Sequence, residues 1–252
     1  LNQTLRTSVA ILDPIRADVT HDIWSGRLDQ LQTVLSGPRP ETPWFVQIRP
    51  DSLSLENTSE LIDIFFSLKI PGICLRREMF LPGSLDLLLR LSTLTSLDLR
   101  DSSVADADAP LFADAEELQE LLLGRDAAKG FFTDKVLDGV AECVTLRSLA
   151  ITGVRAGTGD WSKLAPLRDL QRLALFCPEG WVGADTNGLS SLTSLTSLNL
   201  GQYPFDDGDL GFLSAFSRLR YLCLNVDGGT GVMTGTGLSV LREMRLKLEG
   251  EG

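Results

Sequence analysis

The phrase LSTLTSLDLR at residues 91–100 returns as LTSLTSLNLG at residues 192–201, an offset of 101 residues. A chain that repeats a pattern with the same leucine spacing is built from a unit that folds the same way each time, and this limits the fold more than composition does. In register with LxxLxL the chain gives Leu94-Leu97-Leu99, Leu118-Leu121-Leu123, Leu146-Leu149-Ile151, Leu170-Leu173-Leu175, Leu195-Leu198-Leu200 and Leu219-Leu222-Leu224. The steps between first leucines are 24, 28, 24, 25 and 24 residues, and the first four add up to the 101 that separates the two phrases. Ile70-Ile73-Leu75 extends the series towards the N-terminus and Leu241-Met244-Leu246 towards the C-terminus. Pro43-Val46-Ile48 and Val9-Ile11 read as degenerate early members, which brings the series to about ten units.

Within each unit Leu97 and Leu99 point one way from a strand while Asp98 points the other. One unit cannot bury its own leucines. Stacked units form a continuous column of them, each buried aliphatic side chain contributing roughly 1.5–3 kcal/mol, with neighbours in contact along one direction only. Between the strands, TDKVLDGVAECV at 133–144 and ENTSELIDIFFSL at 56–68 carry apolar residues three and four apart, the spacing of amphipathic helices. Asn57 or Thr58 is expected to cap the second of these. VTHDIWSGRLDQLQTVLSG at 19–37 reads as another helix, ending at Gly37 ahead of Pro38 and Pro40.

The LxxLxL pattern resembles the leucine-rich-repeat family over nearly the whole chain. FDDGDLGFLSAFSRLRYLCL at 205–224 is similar to the ribonuclease-inhibitor-like and F-box-associated repeats, with their acidic-Gly-Leu helix start. The resemblance implies an α/β solenoid, a horseshoe or arc with a parallel concave sheet and helices or irregular turns on the convex side. The asparagine or cysteine that follows each strand in the family is replaced by Asp51, Glu78, Ser102, Asp126, Val154, Pro178, Tyr203 and Asp227, so the turns are expected to be irregular. Residues 1–42 are expected to form an N-terminal capping region and 43–252 about nine repeats. RLKLEGEG at the end offers no polar capping helix, which suggests that more chain, or another chain, covers that end.

A formal net charge of −11 disfavours nonspecific nucleic-acid binding. Charged residues such as Asp63 and Lys69 interrupt every long apolar stretch, so membrane insertion is not expected. Cys74, Cys143, Cys177 and Cys223 form no CxxC pair or metal-like group, pointing to a reducing, cytoplasmic setting. The sequons at Asn2 and Asn57 point the other way.

Signals for catalysis are sparse. The one histidine, His21, sits in the expected N-terminal helix, away from the repeats. GGTGVMTGTG at 228–237 lacks the Lys-Ser/Thr of a phosphate loop and reads as a connector. Glu116-Glu117 and Asp206-Asp207 fall in connectors, where charge solvates a surface. Cys74 and Cys223 are expected to be small surface residues. No enzymatic activity, cofactor or metal is expected.

The strand face carries the sharper signal. Arg49, Arg76, Arg77, Arg100 and Arg125 follow the second core position of successive strands, a row of like charge that needs compensation. An acidic segment of a partner would supply it. Asp98, Asp101 and Glu120 on the same face could equally neutralise it as surface ion pairs. Further along, Phe176, Tyr221 and Asn225 make the face neutral and partly aromatic, and arginine and aromatic residues are what binding hot spots favour. The expected function is a non-catalytic protein-binding module, adaptor or scaffold. The alternatives are the substrate-receptor part of a ubiquitin ligase, by resemblance, and a structural subunit of a large assembly.

Overall fold

In the computed structural model the described residues are 8–13, 21–37, 44–49, 55–75, 83–125, 130–155, 160–177, 186–201 and 209–225, together with Ser239 and Arg242. The chain divides into two compact units, Leu1–Val104 with Asp114–Leu123, and Ala105–Ala113 with Gly124–Gly252.

The first unit begins with β1 (Ser8–Asp13), β2 (His21–Arg27) and α1 (Leu28–Leu35). It continues with β3 (Phe45–Arg49), α2 (Leu55–Leu68), β4 (Gly72–Cys74), α3 (Ser84–Leu89), β5 (Ser96–Arg100) and β6 (Glu120–Gly124), whose last residue falls in the second unit. The strand order is β6-β5-β4-β3-β1-β2. β3, β4 and β5 run parallel, pairing Val46 with Ile73 and Ile73 with Leu97, so the repeat register is the sheet register. Here the structure corrects two expectations. Residues 19–37 are not one helix, because His21–Arg27 is a strand and only Leu28–Leu35 is helical. Val9-Ile11 is not an early repeat, because β1 pairs antiparallel with both β2 and β3. α2 starts at Leu55, ahead of the expected cap at Asn57 or Thr58.

The second unit holds α4 (Lys135–Glu142), β7 (Ser148–Thr152), β8 (Arg172–Phe176), β9 (Ser197–Gly201) and β10 (Tyr221–Asn225). These four strands pair in parallel in the order β10-β9-β8-β7. Leu149, Leu173 and Leu198 form one buried row, and Ile151, Leu175 and Leu200 the next. The connectors Trp161–Leu164, Thr186–Ser191 and Asp209–Ala215 are 3₁₀ turns. In the segment that resembles an acidic-Gly-Leu helix start, Asp209–Ala215 is thus a 3₁₀ turn that leads on to β10. Three residues per turn lets a short connector reach the next strand while burying Leu210 and Leu213.

One device starts the strands in both units. β5, β6, β8, β9 and β10 each take up position through two consecutive amides that share one carbonyl of the preceding repeat. Thr95 and Ser96 donate to the Pro71 carbonyl, and Gln119 and Glu120 to that of Thr95. In the second unit Gln171 and Arg172 donate to Arg147, Thr196 and Ser197 to Gln171, and Arg220 and Tyr221 to Thr196. The hydroxyls of Thr95 and Thr196 add a third donor to the Pro71 and Gln171 carbonyls, each at 3.1 Å.

Candidate functional site

The predicted arginines fall into different surroundings. Arg49 is the last residue of β3, with a side chain outside the described residues, and Arg76 and Arg77 lie outside them altogether. Arg100 forks onto the carboxylate of Asp98 in its own strand, donating from Nη2 to Oδ2 at 2.9 Å and from Nε to Oδ1 at 3.0 Å. Its backbone amide adds a third bond to Oδ1 at 3.1 Å. Asp98 is buried, so this is not the exposed surface ion pair that sequence suggests. Cys74, the cross-strand neighbour of Asp98, is buried as well and donates its thiol to Oδ2 at 3.7 Å. That corrects the expectation of a surface residue at 74. Arg125 belongs to the second unit, where its guanidinium lies 5.5 Å from the centre of the Phe132 ring and its amide donates to the Thr152 carbonyl.

In the second unit the solvent-facing positions fall into three rows. Ser148, Arg172, Ser197 and Tyr221 form the first. Ala150, Ala174, Asn199 and Cys223 form the second, and Thr152, Phe176, Gly201 and Asn225 the third. Most of these side chains are small, which leaves the sheet low and open. Phe176 is half-buried because its ring lies over Gly201, where a Cβ would overlap the ring. Tyr221 is 56% exposed. Asn225 ends β10, and its side chain lies outside the described residues.

Beside these rows, just before the strands begin, runs a shallow groove that the sequence reading missed. Its walls are Asp169, Ser194 and Arg218 on one side, and Arg147, Gln171, Thr196 and Arg220 on the other. The buried Leu170, Leu195 and Leu219 alternate with these positions along the chain. Arg147 pairs with Asp169 at 2.9 Å. Arg218 and Arg220 are exposed and make no ion pair among the described residues. Arg172 stands one row away, its Nε donating to the Ser148 hydroxyl at 3.2 Å. Its sequence signal lies in the columns before the first core leucine of each strand, whereas the predicted row lies after the second.

The remaining candidates have structural surroundings. His21 lies in β2 opposite Asp13. Glu116 and Glu117 are exposed and line a shallow groove with Arg90, whose charge is matched by Asp86 at 2.9 Å and Asp114 at 3.1 Å. Asp206, Asp207 and the 228–237 segment lie outside the described residues. Cys143 and Cys177 are buried, and burial pushes both thiols up to about 12. Among the described residues no group of three or more His, Cys, Asp or Glu is placed to hold a metal ion, and no helix is long and apolar enough to cross a membrane.

Repeat phrase, parallel ladder and buried leucine rows together give the strands of each unit the architecture of leucine-rich repeats. No family model and no curated protein matches the chain. Among solved structures it is similar to internalin C2 from Listeria monocytogenes, at 17% identity and a TM-score of 0.48, over 75% of this chain and 80% of that one. The leucine-rich repeat-containing protein LegL7 from Legionella pneumophila matches at 16% identity and 0.47, over 82% and 72%. The ectodomain of the Arabidopsis receptor kinase HAESA, solved with a peptide hormone ligand, matches at 17% and 0.41, over 68% of this chain and 32% of that one. The assignment of the architecture rests on the chain's own ladder rather than on these likenesses.

Proposed function

We propose that the chain is a non-catalytic protein-protein interaction module and that a partner docks on the solvent-facing strand rows of the second unit. The observation that carries this reading is Tyr221, a large aromatic side chain left 56% exposed at the end of a row that otherwise holds Ser148, Arg172 and Ser197. A tyrosine and an arginine standing above a low surface suit the anchoring role that such residues take in interfaces. A parallel ladder fixes their spacing without depending on loops. In this reading Arg100 and Arg125 serve the fold, since Asp98 and the Phe132 ring already engage them.

The test is quantitative affinity capture with the folded wild type, Tyr221→Ala, Ala174→Glu and Phe66→Ala. Phe66 is 58% exposed on α2 and serves as the control for exposed aromatic surface. The expected result is a partner retained by wild type and Phe66→Ala and lost by the two strand-face variants. Partners unchanged by Tyr221→Ala and Ala174→Glu would sink the reading.

A further inference from the structure

We infer that the groove before β7–β10 binds a short acidic segment of a protein, with one carboxylate seated between Arg218 and Arg220. The groove is a different surface from the strand rows, and its residues are not those of the predicted arginine row. Three of its side chains are cationic, Arg147, Arg218 and Arg220, against one acid, Asp169, in a chain of formal net charge −11. The Arg147 end is already neutralised by Asp169. At the other end Arg218 and Arg220 face the groove with the hydroxyl-bearing Ser194 and Thr196 beside them. Residues 218 and 220 flank the buried Leu219, whose packing sets their backbone positions. Two like charges lining one end of a groove favour an anion that satisfies both.

The dimensions suit a peptide. Strands in a sheet lie about 4.8 Å apart, so the groove spans roughly 14 Å from β7 to β10. An extended chain covers that in about four or five residues at about 3.3 Å each. A second carboxylate at that distance would reach Arg147 and compete with Asp169. Nucleic acid is the disfavoured occupant. A polyanion longer than the groove meets the field of a chain of net charge −11, whereas a short segment senses mainly the cations within a Debye length of about 8–10 Å.

The experiment titrates the full chain into a fluorescein-labelled hexapeptide of alternating glutamate and serine, followed by anisotropy. Controls are the glutamine-serine peptide and a labelled single-stranded RNA hexamer. The glutamate peptide is expected to bind at least about ten-fold more tightly than the glutamine peptide, weakening as salt rises. Arg218→Gln with Arg220→Gln, both exposed and replaced by uncharged side chains, is expected to abolish that preference while the far-UV circular dichroism stays unchanged. Equal binding of both peptides, an unchanged preference in the folded double variant, or tighter binding of the RNA through the same two arginines would each overturn the inference. Tyr221→Ala leaves the peptide titration intact if the two surfaces are separate, so failure here and failure of the strand-face reading are told apart.

Discussion

Gly139 lies inside α4, where alanine is ordinarily better by about 1 kcal/mol. A Cβ at this position would overlap the carbonyl of Ala109, so the sign reverses. Gly139→Ala is expected to cost about 1–3 kcal/mol, the usual penalty of overpacking, read as a lower urea midpoint at unchanged slope. Glycine serves the strands as well. Phe45 lies against Gly72 and Phe176 over Gly201, so in each unit a phenylalanine lies against a residue with no side chain. The buried thiols make a pH prediction. Cys143 and Cys177 stay protonated when folded, up to about pH 12, while the same thiols in the unfolded chain ionise near their ordinary value of 9.0. Stability from this source is full below pH 9 and falls as pH rises from there towards 12, by up to about 1.4 kcal/mol per pH unit for each thiol. Urea unfolding of wild type and Cys177→Ala across that range checks it. The variant should lose stability less steeply, and parallel curves would contradict the assignment.

At the scale of elements, the strands were the most legible part of the sequence, because a two-residue alternation inside a 24- to 28-residue period states both the face and the register. Leu198→Ala should therefore cost about 2–5 kcal/mol, while Ser197→Ala, on the opposite face of the same strand, should stay within about 0.5 kcal/mol. Thermal or urea melts of the pair check the alternation. Alternation failed at β5, where Asp98 occupies an outward position and is nevertheless buried. Its partners, Arg100 two residues on and Cys74 one repeat back, are a matter of local packing that periodicity does not encode. Asp98→Ala should cost about 3 kcal/mol by removing a buried carboxylate that accepts from both Arg100 and Cys74. The double variant with Arg100→Ala should recover part of that loss, which a double-mutant cycle would measure. The N-terminal strands were misread for a related reason. β1 pairs with a strand on each side of it in the sheet, and antiparallel pairing of that kind leaves no trace in the spacing of Val19, Ile23, Trp24, Leu28 and Leu31, which imitates a helix. Acidic connectors also do more than solvate a surface. Asp106 accepts the Thr133 amide and hydroxyl, and Lys163 joins Asp134 and Asp138.

For the molecule as a whole, net charge predicted a poor ligand for nucleic acid but not where the cations would gather. Position in the repeat decides that. The same columns hold Thr93 and Thr95, then Glu117 and Gln119, in the first unit, and Arg218 and Arg220 in the second. A feature defined by one column of a repeat is visible only when every column is compared, and arginines stand both before and after the strands. The proposal with the widest reach is that a protein partner docks on the solvent-facing strand rows of the second unit. It is tested most directly by placing a photo-crosslinking amino acid at position 221, and in a separate protein at position 66, and irradiating each in native lysate. A discrete protein adduct is expected from position 221 and not from position 66. Adducts from position 66 alone, or the same adducts from both, would contradict it.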